Sequence, residues 1–223
     1  MYTTHAMKQV LFSLLLVLSA QATSLVVEPA PKKLWEVTPM MSVSTSNNVG
    51  ELLVPIDPTL LAQFSYGVNV GRVIKEDIFD GKGDIVMTLG AHYHDERGVD
   101  HNTAQNTILF KAVWKSFPWN HKVRTIAEVG TGASYTWRIL EGEKQNRSGR
   151  ESRNLLNYNE FSLGFNLGDL IGFDSLDDSW LMLGIMHRSG ARGVWGSYTD
   201  EDGSEQPMKG AYNAYYSGVK VRF

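Results

Sequence analysis

The chain has 223 residues, 21 Lys and Arg against 24 Asp and Glu, a formal charge of −3 and no cysteine. The missing cysteine excludes disulfides, thiolate chemistry and cysteine-based metal sites, and the absence of any basic stripe argues against a nucleic-acid partner. The length suffices for one domain with a sizeable core and is too short for several.

The first segment, residues 1–22, combines Lys8, an apolar run from Val10 to Leu18 and Ala20-Gln-Ala22. These are the parts of a cleavable signal peptide, with cleavage expected after Ala22. The run is shorter than the roughly 20 apolar residues of a membrane helix. A mature domain over 23–223 is expected.

Eight stretches then read as strands: 34–46, 59–72, 84–95, 106–117, 122–137, 155–167, 179–189 and 212–223. Most show the period of two that one-sided burial demands. In the second, Leu60, Ala62, Phe64, Tyr66, Val68 and Val70 share one face, with Gln63, Ser65, Gly67 and Asn69 on the other. The third sets Ile85, Met87, Leu89, Ala91 and Tyr93 against Asp84, Thr88, His92 and His94. The fifth sets Val123, Ala127, Val129, Ala133, Tyr135 and Trp137 against Arg124, Glu128, Gly130 and Ser134.

Most of these stretches exceed the usual globular strand of about five or six residues. A tilted strand needs about 9–11 residues to cross the hydrocarbon layer, and backbone hydrogen bonding in lipid requires the sheet to close. The fold expected is therefore all-β: an eight-stranded antiparallel transmembrane β-barrel. The apolar face, with Phe64, Leu89, Val129, Leu163 and Val221, would lie outside, and Arg124, Glu128 and Lys220 would fill the narrow interior. Trp35, Trp114, Trp137 and Trp180 would form interfacial girdles. A soluble β-sandwich with a polar outside shares the same alternation.

An even strand number puts both termini on one side. Residues 73–83, 118–121 and 168–178 then become periplasmic turns, the first closed by Gly81 and Gly83. Residues 47–58, 96–105, 138–154 and 190–211 become the longer outer loops, including the hydrophilic 141–151. With the terminal aromatic Phe223 and the leader, this places the chain in a Gram-negative outer membrane. Its expected contacts are outer-membrane lipids and the barrel assembly machinery.

His92, His94, Asp95 and His101 carry donor types that suit zinc or nickel. Their position at the upper end of the third strand favours packing in the lumen or loop instead. The more specific signal ends the seventh strand: His187-Arg-Ser189-Gly190-Ala-Arg192-Gly193. His187 and Ser189 continue the face of Leu181, Leu183 and Ile185, so an imidazole and a hydroxyl lie side by side, as attack of a serine on an ester requires.

A barrel with His-Arg-Ser-Gly closing its penultimate strand and Val-Lys-Val-Arg-Phe223 at its end resembles the lipid A 3-O-deacylase (acyloxyacyl hydrolase-like) barrels of the outer membrane. The resemblance implies a serine esterase that removes an ester-linked acyl chain from lipid A in lipopolysaccharide. His187 would be the base, Ser189 the nucleophile and Glu201 the acidic partner, with no metal and no cofactor. The family commonly has His-x-Ser-Asn-Ala. Gly190 replaces that Asn here, leaving oxyanion or substrate contacts to the backbone of Gly190 and Gly193 and to Arg192. Asp200, Asp202 and Glu205 crowd the loop that holds Glu201. The alternatives are a non-enzymatic barrel with a structural or surface-binding role, and a narrow pore.

Overall fold

The computed structural model describes residues 32–47, 49–52, 59–97, 101–145, 152–190, 197–199, 203–207 and 211–223. The expected leader, 1–22, lies outside them. The strands are β1 (Trp35–Thr45), β2 (Leu60–Asp77), β3 (Gly83–Glu96), β4 (Thr103–Trp114), β5 (Thr125–Thr136), β6 (Leu155–Asn166), β7 (Ser179–Ser189), β8 (Ser197–Thr199), β9 (Glu205–Pro207) and β10 (Ala211–Arg222), with a one-turn helix α1 (Val49–Leu52) between β1 and β2. Eight close into an antiparallel barrel in the order β1-β10-β7-β6-β5-β4-β3-β2, and β8 pairs with β9 in a separate small hairpin. Closure is sealed where Trp35 and Phe223 exchange two backbone hydrogen bonds of 3.0 and 2.9 Å.

The alternation sorts polarity inside out. Leu89, Val129 and Leu163 are exposed on the outer face, while Glu128 and Lys220 are buried inside. Exposed outward residues such as Met41, Val70, Ile108, Phe110 and Leu183 continue the belt round the barrel. So much apolar surface on a soluble monomer would be anomalous. Against hydrocarbon it is the favourable arrangement, and a closed sheet leaves no backbone edge unpaired in lipid.

Ion pairs fill the interior. Lys220 Nζ lies 2.8 Å from Glu36 Oε1 and also pairs with Glu128. Lys111 pairs with Glu160 and lies 3.7 Å from Glu128. Each of these buried charges therefore faces an opposite one, the condition under which burial is tolerated.

Four particulars depart from the sequence expectations. Arg124 is not inside. It precedes β5 at the end bearing the termini, where it donates to Asp169 (2.9 and 2.8 Å), Asp177 (2.6 Å) and Asn166 (3.0 Å). Two carboxylates on the β6–β7 connection draw it out of the lumen. Trp180 is no girdle residue, since it packs against the inner core with Arg222 5.8 Å over its ring.

The first turn is also shorter than 73–83. The β2–β3 ladder continues to Lys75↔Ile85, and the reversal occupies Ile78–Gly81 with Phe79, Asp80 and Gly81 at positive φ. Gly81 is thus needed for its conformation, whereas Gly83 has a different reason: a Cβ there would meet the Val113 carbonyl oxygen at 2.8 Å.

Lastly, 138–154 is not only a hydrophilic outer loop. Its helix α2 (Glu141–Gln145) buries Glu143 against the equally buried Arg188 of β7. Arg188 also donates to Ser134 Oγ (2.8 Å), Thr136 Oγ1 (3.2 Å) and the carbonyls of Arg153 (2.8 Å) and Asn154 (2.6 Å). The guanidinium and helix together occupy the barrel mouth opposite the termini.

Candidate active site

Strand β7 runs from the terminus end to the loop end. Eleven residues at about 3.3 Å each, with the tilt of such barrels, cover about 28 Å, close to the height of a membrane barrel's apolar band. His187 and Ser189 are at its far end. Arg188 between them points into the lumen, so the two flanking side chains point out, both half-buried. The shared outward face expected from the sequence is what the pleat produces.

The register reveals a wider pattern. Thr131, Asn159, His187, Asn213 and Thr45 are successive cross-strand partners on β5, β6, β7, β10 and β1. One step further toward the loops, Asn157 is the partner of Ser189. One step toward the termini the row becomes Val129, Phe161, Ile185, Tyr215 and Val43. On β6, β7 and β10 the outward positions therefore change from apolar to polar at Asn159, His187 and Asn213. A charge on the lipid face of a barrel costs about 2–4 kcal/mol at the bilayer midplane and about 0–1 near the interface. This local polar band sits at the loop end of the three strands, where polarity is tolerated best.

Within the band the amides are already committed. Asn159 Nδ2 donates to Asn157 Oδ1 at 2.6 Å, and Asn157 Nδ2 donates to the Gly132 carbonyl at 3.0 Å. His187 Nδ1 contacts Asn213 Oδ1 at 2.6 Å, and Asn213 Nδ2 donates to the Asn47 carbonyl at 2.7 Å. Asn213 is buried although its strand position faces outward.

The sequence reading did not single out Asn213. The available signal was an amide at an outward position of β10, but only the β7–β10 register puts it beside His187. Gly190 directly follows Ser189 and is buried, whereas Arg192, Gly193 and Glu201 lie outside the described residues.

The four residues weighed as a metal site are separated. His92 and His94 are buried on the inner face, with His94 Nε2 2.7 Å from Gln105 Oε1. Asp95 alternates outward beside Arg97, and His101 is exposed. Among the described residues no group of three or more His, Cys, Asp or Glu is placed to hold a metal ion.

No protein-family model matches the chain, and no curated protein matches it in sequence. Among solved structures, the crystal structure of the outer membrane enzyme PagL superposes with a TM-score of 0.52 at 9% identity, covering 84% of this chain and 99% of that one. At that identity the likeness is one of fold. The chain has the architecture of an eight-stranded outer-membrane-type barrel.

Proposed function

We propose that the chain is a serine esterase of the outer membrane that removes an ester-linked acyl chain from lipid A. The observation that carries this reading is the shared outward face of His187 and Ser189 at the end of one strand, beside outward Asn157 and Asn159 and one row beyond Phe161, Ile185 and Tyr215. An acylated glucosamine headgroup presents its ester at that boundary, with sugar above and hydrocarbon below. With long loops outward and short turns in the periplasm, as is usual for such barrels, the site faces the outer leaflet.

The chemistry follows from the side chains. Ser189 Oγ attacks the ester carbonyl as His187 Nε2 takes its proton. The tetrahedral oxyanion collapses, and the sugar hydroxyl leaves with that proton. Water then cleaves the acyl-serine and releases a fatty acid. The Gly190 N–H, with Gly193 and Arg192 from the sequence reading, supplies oxyanion or substrate contacts. The imidazole needs a third group at Nδ1, for which the sequence offers Glu201 and the structure offers Asn213. The apolar belt meets outer-membrane lipid, and the barrel assembly machinery is the expected insertion route. Neither metal nor cofactor enters this scheme.

Incubating the purified barrel in detergent with lipid A and measuring released fatty acid tests the reading. Release that stops with Ser189→Ala supports it. No release from the folded wild type leaves a structural or surface-binding barrel.

A further inference from the structure

Resting on the esterase reading, we propose that Asn213 is the positioning residue for His187, filling with an amide the place expected for a carboxylate, and that the β1–β2 connection locks it in the working orientation.

The argument is one of donors and acceptors. Asn213 Nδ2 lies 2.7 Å from the Asn47 backbone oxygen, which can only accept. Turning the amide over would set two carbonyl oxygens against each other, so the orientation is fixed, with Oδ1 toward the imidazole. Oδ1 also only accepts, so at 2.6 Å the hydrogen must sit on His187 Nδ1. Nε2 is then left with its lone pair, the state that a general base for Ser189 requires.

An amide free to turn would present its NH₂ to the ring and favour the wrong tautomer. In the serine-protease triad, replacing the aspartate by an asparagine that does this costs about 10⁴-fold in turnover. Locking removes that penalty, and an orienting asparagine serves the histidine of papain-like proteases.

The lock is itself built. Asn47 Oδ1 accepts from the Thr59 N–H at 2.7 Å and from Thr45 Oγ1 at 2.5 Å, and Asn47 N donates to Thr45 Oγ1 at 3.1 Å. Both ends of the connection are thereby tied to the backbone oxygen that holds Asn213.

The groups facing His187 are consistent with an uncharged partner. Its cross-strand neighbours are Asn159 and Asn213, and Arg188 turns away to Glu143. Among the described residues, the carboxylate that joins this chain of contacts is Glu51, which accepts from Asn47 Nδ2 at 3.3 Å.

The test measures kcat, KM and the pH profile of ester hydrolysis on a long-chain p-nitrophenyl ester in detergent micelles. It compares wild type, Asn213→Ala and Asn213→Asp, each checked for heat-modifiable gel migration. Asn213→Ala should lower kcat at least tenfold with KM little changed. Asn213→Asp should recover activity over the Ala variant and move the acid limb of the profile to higher pH, because a carboxylate stabilises the imidazolium.

A merely structural asparagine would not move that limb. Wild-type kcat and profile in Asn213→Ala, or an unmoved limb in Asn213→Asp, overturns the proposal while leaving the esterase intact. A folded wild type without any hydrolysis overturns both.

Discussion

Arg188 shows how one residue serves two sides of a strand. Its neighbours His187 and Ser189 face outward, while its own side chain is fully buried and anchors α2 through Glu143. Removing one partner of such a pair strands a buried charge, which costs about 3–5 kcal/mol. Glu143→Ala is therefore expected to lower the urea midpoint of the detergent-solubilised barrel by that equivalent. Adding Arg188→Met should restore part of it, because the orphaned charge is then gone; equal midpoints for Glu143→Ala and wild type would contradict the assignment.

The sequence made His187 and Ser189 legible because alternation fixes their shared face. It could not reveal Glu143 as a lumen residue or Asn213 as the imidazole's partner. Both depend on contacts between segments far apart in the chain, and a run such as 141–151 has the same composition whether it is solvated or folded over the barrel mouth.

At the level of elements, all eight barrel strands were readable in the sequence, most of them from their period of two, while their ends were not. β2 was expected to stop at residue 72, yet it continues to Asp77, where the alternation no longer separates apolar from polar side chains. The connection between β6 and β7 shows how an end is held. Asn166 caps α3 (Leu167–Ile171) by accepting from Asp169 N at 3.0 Å, and Arg124 ties Asp169 and Asp177 together.

Arg124 is partly exposed, and surface pairs contribute at most about 1 kcal/mol each. Arg124→Ala should leave the barrel folded but make residues 167–178 more susceptible to limited proteolysis. Hydrogen bonds from Arg124 hold the Asp169 carboxyl below the ordinary carboxylate range. A depressed folded pKa means that the protection is fully present above the unfolded value and fades as pH falls through the folded one. Wild-type resistance should thus be constant from neutral pH to about 5 and decline only in stronger acid; a decline near pH 6–7 would point to another group.

For the whole molecule, the interior and the exterior carry different tasks. Lys111, Glu160, Tyr158, Lys220 and Glu128 are buried within the barrel, and Arg188 and Glu143 close over its mouth. An eight-stranded barrel has room for side chains and little else, so no stepwise conductance is expected when the protein is inserted in a planar bilayer. Discrete, reproducible channel openings would contradict the filled lumen.

The polar side chains of His187, Ser189, Asn157, Asn159 and Asn213 lie instead at outward strand positions, at the end of the barrel away from the termini. The most direct measurement is mass spectrometry of lipid A from Gram-negative cells expressing the wild type or Ser189→Ala, with both proteins shown to be folded in the outer membrane. The wild type should yield lipid A lighter by one ester-linked acyl chain, and the variant should yield unmodified lipid A. Identical spectra from cells with the wild type, with the variant and with neither protein would contradict the esterase account.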